Sequence, residues 1–272
     1  MGIVNASPDS FSDPGERTLD GLVASAHAQV EAGAEIIDVG GESGVTHTEP
    51  VPPEEESARV VPLVERLAAD GVTVSVDTWK AEVADAALAA GAALVNDVSG
   101  LRDPALADAC ARHDAGLVIT HTRAEPKVKA FPGYGDVVAD VRAFLSERVA
   151  LARSRGVDPE RIVLDPGPDL AKTPAETVEV LGRLDELADL GHPLLLAVSR
   201  KDFVGALTGR RPAERLAGTL GAIAAAGRHA SILRVHDVAA VADFLRVRDA
   251  VEGAAEDVPA LDPALRTEPR VA

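Results

Sequence analysis

Aromatic side chains are scarce. One Trp, one Tyr and five Phe make 3% of 272 residues, so the core has to be built from Ala, Val, Leu and Ile. Cysteine is nearly absent. The single Cys110 excludes an intramolecular disulfide and points to a reducing compartment, and its Ala-rich surroundings (Ala107 to Ala111) read as a helix on which it is a small core or near-surface residue. Positive charge is in deficit, with 27 Lys and Arg against 44 Asp and Glu and a net charge of −17. Such a surface repels phosphodiester backbones and anionic lipid, which argues against nucleic acid and membrane as partners and confines any anionic substrate to a local basic pocket. No uncharged apolar run reaches the length of a bilayer span. The first residues carry no basic, then apolar, leader pattern, so the expected location is cytoplasmic.

What is present is a repeated alternation. Eight short apolar runs, at residues 3–5, 35–39, 73–77, 93–96, 117–121, 162–165, 194–198 and 232–235, are separated by stretches of helical period. Leu19, Leu22, Val23, Ala26 and Val30 define one face of the first helix. Val60, Leu63, Val64 and Leu67 define the second, and Val138, Val141, Leu145 and Val149 the fifth. A glycine precedes every strand but the first: Gly33, Gly71, Gly91, Gly116, Gly156, Gly191 and Gly227. Glycine suits the left-handed residue that ends a helix. Strand–helix–strand units of this length give parallel strands, and eight of them predict a single-domain α/β chain folded as a (β/α)8 TIM barrel over residues 1–252, its first strand nearly truncated. A doubly wound open sheet is the alternative, weakened by the lack of a GxGxxG turn after the first strand. Residues 253–272, rich in Pro, Asp and Glu without periodicity, read as a mobile tail.

In such a barrel the chemistry sits at the carboxyl ends of the strands. Those positions are Asn5, Asp38, Asp77, Asn96, His121, Asp165, Ser199-Arg200-Lys201 and Arg234-Val235-His236-Asp237, all polar or ionisable. Asp38 and Asp97 read equally well as turn or N-cap residues, and His121 equally well as a core histidine. His47, His113, His192 and His229 read as solvated, and Trp79 as packing. Asp77, Asn96, Asp165 and Lys201 together offer carboxylates for N–H groups, an amide that gives and takes, and an ammonium for a carbonyl, which suits the edge of a flat heterocycle. Asn5, Arg234 and His236 form a second group. Arg234 and His236 alternate in a strand and so share a side, which makes a basic pair for a diphosphate near where barrels bind phosphate. Asn5 offers a neutral oxygen to Mg²⁺, an ion that keeps waters and shares substrate phosphates.

These segments resemble the dihydropteroate synthase family. They are Asn5 to Asp13, Asp38-Val39-Gly40-Gly41-Glu42-Ser43, Ser75-Val76-Asp77-Thr78, Asn96-Asp97-Val98-Ser99-Gly100, Asp165-Pro166-Gly167, Ser199-Arg200-Lys201 and Arg234-Val235-His236-Asp237. They run in order over about residues 1–250. The resemblance implies a homodimeric folate-biosynthesis transferase that joins 6-hydroxymethyl-7,8-dihydropterin diphosphate to p-aminobenzoate and releases diphosphate with Mg²⁺. It implies that Asp77, Asn96, Asp165 and Lys201 hold the pterin, that Asp77, Asp165 and Lys201 are catalytic, that Arg234 and His236 hold the diphosphate, and that Asn5 meets the metal.

The chain departs from the family pattern in clusters. Gly44-Val45-Thr46-His47 stands for Thr-Arg-Pro-Gly, Asp202 for Ser, Thr120-His121-Thr122 for Met-His-Met, Pro168-Asp169-Leu170-Ala171 for Phe-Gly-Phe-Gly, and Ala197 for Gly. The first two changes fall on the benzoate side. One lost charge-assisted hydrogen bond costs about 1.5–3 kcal/mol. A carboxylate about 4 Å from the substrate's own adds up to about 4 kcal/mol of repulsion at an effective dielectric near 20. Together these predict p-aminobenzoate weakened by about three orders of magnitude unless Arg123 or Lys127 compensates. A non-catalytic pterin-binding paralogue and a transferase for a different amine are the alternatives. The pterin domain of a corrinoid methyltransferase is disfavoured by the absence of a cobalamin module.

Overall fold

The computed structural model describes residues 1–7, 18–43, 49–254 and 260. The opening loop from Pro8 to Asp13, the substituted Gly44-Val45-Thr46-His47 and nearly all of the predicted tail lie outside these residues.

Strands and helices alternate: β1 (Gly2–Asn5), α1 (Leu19–Glu31), β2 (Ile37–Gly40), α2 (Pro53–Ala69), β3 (Val74–Asp77), α3 (Ala81–Ala89), β4 (Leu94–Asp97), α4 (Ala105–Arg112), β5 (Gly116–Thr120), α5 (Val137–Ser154), β6 (Ile162–Asp165), α6 (Pro174–Gly182), α7 (Leu184–Ala188), β7 (Leu194–Leu196), α8 (Asp202–Thr208), α9 (Leu216–Ala226), β8 (Ala230–Leu233) and α10 (Val238–Val251). The eight predicted strands are all present, shifted by a few residues at most. The strands form one parallel sheet in the order β1 to β8, each paired with its neighbour in sequence. A doubly wound sheet reverses direction from its first strands, and this order has no reversal. At the remaining edge, the Met1 amino group donates to the Leu233 carbonyl (2.9 Å) and Val235 N–H donates to the Met1 carbonyl (3.0 Å). Met1, just ahead of β1, therefore meets the end of β8 at the edges of a curled sheet.

Alternation along each strand sorts the residues into two faces. Val39, Val74, Val76, Val95, Leu117, Ile119, Ile162, Leu164, Leu194 and Leu196 face the helices in the main core. On the concave face Leu94, Val118, Val163 and Leu195 form a small apolar plug, with Met1, Ala197 and Ile232 against it. Two residues further along the same strands come Asn96, Thr120 and Asp165. The concave face is thus apolar below and polar at the carboxyl end, and the site sits on that plug.

The helices bury the expected faces with one exception. Val60, Leu63, Val64 and Leu67 are fully buried, as are Val138, Val141 and Leu145. In α1 only Val23 and Ala26 are buried, whereas Leu19 and Val30 at its ends are exposed. Leu22 is partly buried against the core, and Gln29 bonds the Ile3 backbone of β1. Six of the seven junction glycines take positive φ. Gly116 does not, because Asp114 makes the left-handed turn (φ 52°) and Gly116 opens β5. Cys110 is buried in the main core, as expected.

Candidate active site

The rim residues converge on the concave face. Asp38 is fully buried, and its Oδ2 accepts from Asn96 Nδ2 (3.0 Å) and from Arg234 Nε (2.6 Å). The same guanidinium donates through Nη2 to Asp77 Oδ2 (2.7 Å). Arg234 therefore ties the end of β8 to β2 and β3. Arg234 favours the ionised form of Asp77, yet burial dominates there. The Asp77 carboxyl is pushed up to about 7 by desolvation and by Asp38, Glu56 and Asp97, against the pull of Arg234. Burial also pushes Asp165 up, opposed by the Gly167 N–H that its Oδ1 accepts (2.7 Å) and by Lys201. Burial pushes the Lys201 ammonium down, opposed by Asp165 and Asp169.

Three predicted groupings need correction. β8 ends at Leu233, so Arg234 and His236 follow the strand and do not share a side through strand alternation. Arg234 turns inward to the carboxylates, while His236 turns to β7, its Nδ1 2.9 Å from Ser199 Oγ. Nor are they a basic pair, since burial, with Arg200 and Arg234 nearby, pushes the His236 imidazole down to about 4. The chemical division into two groups is bridged as well, because Arg234 contacts Asp77.

Asp38, read as an N-cap candidate, caps nothing and holds the centre of the site. Asp97 is the turn residue, accepting from the N–H groups of Ser99 (2.7 Å) and Leu101 (2.5 Å). His121 proves structural. It is buried between Asp140 Oδ1 (2.9 Å from Nε2) and Lys172 Nζ (2.7 Å from Nδ1), and burial pushes it down to about 3. Lys172, which the sequence reading passed over, is itself buried and pushed down to about 7. It donates to the carbonyls of Gly167 (3.0 Å) and Leu170 (3.1 Å), so it fixes the loop after β6. Also unforeseen is a buried cluster in which Lys80 joins Glu42 (2.5 Å) and Glu56.

The chemistry of the site follows from what is left unpaired. Asp38 Oδ1, Asn96 Oδ1, Thr120 Oγ1 and Ser75 Oγ are buried without a hydrogen-bond partner, and the Lys201 ammonium makes no hydrogen bond or ion pair among the described residues. Buried polar groups are normally satisfied. A cluster of orphan acceptors with one ammonium, at the open end of an apolar plug, is a site built for a flat ligand that donates several N–H groups and accepts at a carbonyl.

The sequence matches the family of pterin binding enzymes over residues 1–236. The chain belongs to that family. It is 42% identical to the dihydropteroate synthase of Bacillus subtilis, over 92% of this chain and 87% of that protein. It superimposes on the dihydropteroate synthase of Xanthomonas albilineans with 4-aminobenzoic acid at a TM-score of 0.87, with 44% identity over 95% of this chain and 93% of that one. The same enzyme in complex with 7,8-dihydropteroate gives 0.84, with 44% identity over 95% and 94%. In this pterin-binding chain the rim residues expected from sequence thus lie together at the strand ends, and the orphan acceptors lie among them.

Asp202, expected from the resemblance to repel the benzoate, is not a lone charge. Asp202 is ionised, its carboxyl held below the usual range by Lys129 and Arg215 against desolvation. It is also paired, with Lys129 Nζ at 3.4 Å and Arg215 Nη1 at 3.3 Å. The repulsion computed for a lone carboxylate is therefore largely offset. Arg123 is not the compensating cation, because both its Nε and Nη2 are taken by Asp140. Lys127 does reach the second loop, donating to the Ser43 carbonyl (2.7 Å) and pairing with Glu42 (2.9 Å).

Proposed function

We propose that this chain is a dihydropteroate synthase, on the strength of the buried orphan acceptors around Lys201 in a chain of this family. It condenses 6-hydroxymethyl-7,8-dihydropterin diphosphate with p-aminobenzoate and releases diphosphate. Asp38, Asn96 and Asp165 take N–H groups of the pterin's amino-amide edge, and the Lys201 ammonium donates to its ring carbonyl. Asp77 holds a carboxylate against the ring as positive charge develops at the exocyclic carbon, while the arylamine nitrogen displaces the diphosphate. This is electrostatic catalysis by groups already in place. Arg234 and His236 receive the leaving group. His236 enters as a neutral imidazole, a hydrogen-bond partner for the leaving group rather than a cation.

Asn5 is exposed at the end of β1, its Oδ1 beside Gly40. Among the described residues no three His, Cys, Asp or Glu gather to hold a metal. The Asn5 amide oxygen is one neutral ligand for Mg²⁺, with waters and substrate phosphate as the others. When bound, the ion neutralises charge on the departing diphosphate.

The fold reading that accompanies this function is a (β/α)8 barrel over residues 1–252, supported by the sequential order of its strands and the two hydrogen bonds from Met1. A cytoplasmic homodimer is the expected form. An apolar groove of about 350 Å³ between α6, α8 and α9, with Leu207 70% exposed, supports pairing of two copies there. No described helix is long and apolar enough to cross a membrane.

The test is a titration of the purified protein with the pterin diphosphate and Mg²⁺, followed by p-aminobenzoate and an assay for dihydropteroate. Lys201→Ala and Asp165→Ala are expected to abolish pterin binding. Pterin binding without product would leave only a pterin-binding paralogue, and no pterin binding would end the reading altogether.

A further inference from the structure

The chain has only 27 cationic side chains against 44 acidic ones, yet three of its arginines line one cavity. That cavity, of about 200 Å³, lies between the loops after β4 and β5 and helix α5, with Arg102, Arg123 and Arg148 in its wall beside Ser99, Thr122 and Phe144. No residue assigned above to the pterin or the diphosphate lines it. Its volume is below the roughly 300–1,000 Å³ of a pocket for a drug-sized ligand, so an occupant would be small. Thr122, where the resemblance has Met, places a hydroxyl in the same wall.

Each guanidinium has N–H groups to spare. Arg148 Nε is buried without a hydrogen-bond partner, its Nη1 reaches the Leu101 carbonyl only at 3.4 Å, and its Nη2 lies 3.8 Å from Glu147. A buried N–H of a charged group is normally satisfied. Arg123 gives Nε and Nη2 to Asp140 and keeps Nη1. Arg102 gives Nη2 to the Ala124 carbonyl (2.9 Å), with Nη1 4.0 Å from Glu125. Arg123 and Arg148 also share one ring, their Cζ atoms 5.0 and 4.9 Å from the centre of Phe144. Gly100, at φ +75°, admits that ring, because a Cβ there would run into it. Two like charges on one ring repel each other, and an anion between them removes the repulsion. The carboxylates nearby do not serve. Asp97 spends its oxygens on the Ser99 and Leu101 N–H groups, and Asp140 is shared between Arg123 and His121. Glu125 and Glu147 are 72% and 70% exposed, and such long pairs in water are worth little.

We propose that this cavity is a second anion site, which binds a small phosphate group through Arg102, Arg123 and Arg148. A flat carboxylate is satisfied by one guanidinium fork. Three forks brought together from the loop after β4, the loop after β5 and helix α5 suit a tetrahedral oxyanion with more acceptor oxygens. The inference stands apart from the transferase reading, since none of these residues belongs to the proposed reaction site. The probe is inorganic phosphate, titrated calorimetrically into the His236→Ala protein, in which the proposed leaving-group pocket is impaired. Adding Arg148→Met is expected to weaken phosphate binding about tenfold, the size of one lost charge-assisted hydrogen bond. Arg102→Met should weaken it as well, and its half-exposed side chain makes that variant safe for folding should Arg148→Met disturb α5. Glycerol phosphate in a parallel titration separates the sources. Tighter binding than inorganic phosphate identifies a phosphate ester as the ligand, and weaker binding identifies the free ion. A phosphate isotherm unchanged by both arginine substitutions overturns the proposal, as does the absence of phosphate binding in His236→Ala.

Discussion

Replacing Arg234 by Met removes the one cation that touches both Asp38 and Asp77. Met matches the aliphatic stem in volume, so the change isolates the charge. Asp38 is fully buried, and Arg234 is itself largely buried. Breaking a buried pair by deleting one partner typically costs about 3–5 kcal/mol, which for a domain of this size lowers Tm by roughly 6–20 °C. The cost depends on pH in a definite sense. The Asp77 carboxyl sits above its ordinary range, at about 7, even with Arg234 beside it. The folded state therefore keeps a proton that the unfolded chain has already released. That contribution is fully present below the ordinary carboxylate pKa and is lost as pH rises to about 7. Without Arg234 the carboxyl moves higher still, and the loss continues beyond pH 7. The Tm gap between wild type and Arg234→Met should hold steady from pH 5 to about 6, where both folded states keep the Asp77 proton, and widen from about pH 7 to pH 9, measured by calorimetry or by dichroism at matched ionic strength. An equal gap at both ends of the whole range would refute the claim that Arg234 stabilises the fold by compensating these carboxylates.

Three more outcomes are expected. Gly167 has φ +66°, and a Cβ on it would run into the His121 carbonyl, so Gly167→Ala should cost at least about 2 kcal/mol in urea unfolding and weaken pterin binding through the displaced Asp165. Lys172→Met should destabilise through the unpaired Gly167 and Leu170 carbonyls. Because burial holds the Lys172 ammonium down to about 7, its charged form is penalised most at low pH, so the stability gap to wild type should widen between pH 7 and 10 and a flat gap would count against it. Cys110, its thiol pushed up to about 12 by burial, should resist a disulfide reagent at pH 8 in the native protein and react once denatured, whereas rapid native labelling would contradict its place in the core.

The strand ends were legible because a period-2 apolar run stops at a polar residue whatever lies beside it. That rule located Asp77, Asn96, Asp165 and Lys201 without knowledge of their neighbours. It carries no information about partners across the sheet. Asp38 looked like a cap because the distance to Arg234, 196 residues away in sequence, has no local signal. Lys172 looked like a loop residue because its burial depends on His121 from the adjoining strand. Asp202 looked like a lone repulsive charge because its partners Lys129 and Arg215 come from other loops. The error over Arg234 and His236 was one of register, since a strand that ends at Leu233 no longer dictates which way later side chains point.

Every strand after the first joins the sheet beside the strand that preceded it in the chain. One contact departs from this order, at the edge, where the Met1 amino group ahead of β1 meets the Leu233 carbonyl of β8, 232 residues away. Closing such a loop costs more chain entropy than any other pairing in the molecule, and contacts of that separation form late. Arg234 lies one residue beyond this join, and its carboxylates belong to β2 and β3. Assembly of the ligand site and the last long-range step of folding are therefore one event. A partially folded chain can own seven paired strands and still have no pocket, and a ligand that bridges these residues would act as a fastener for the final join.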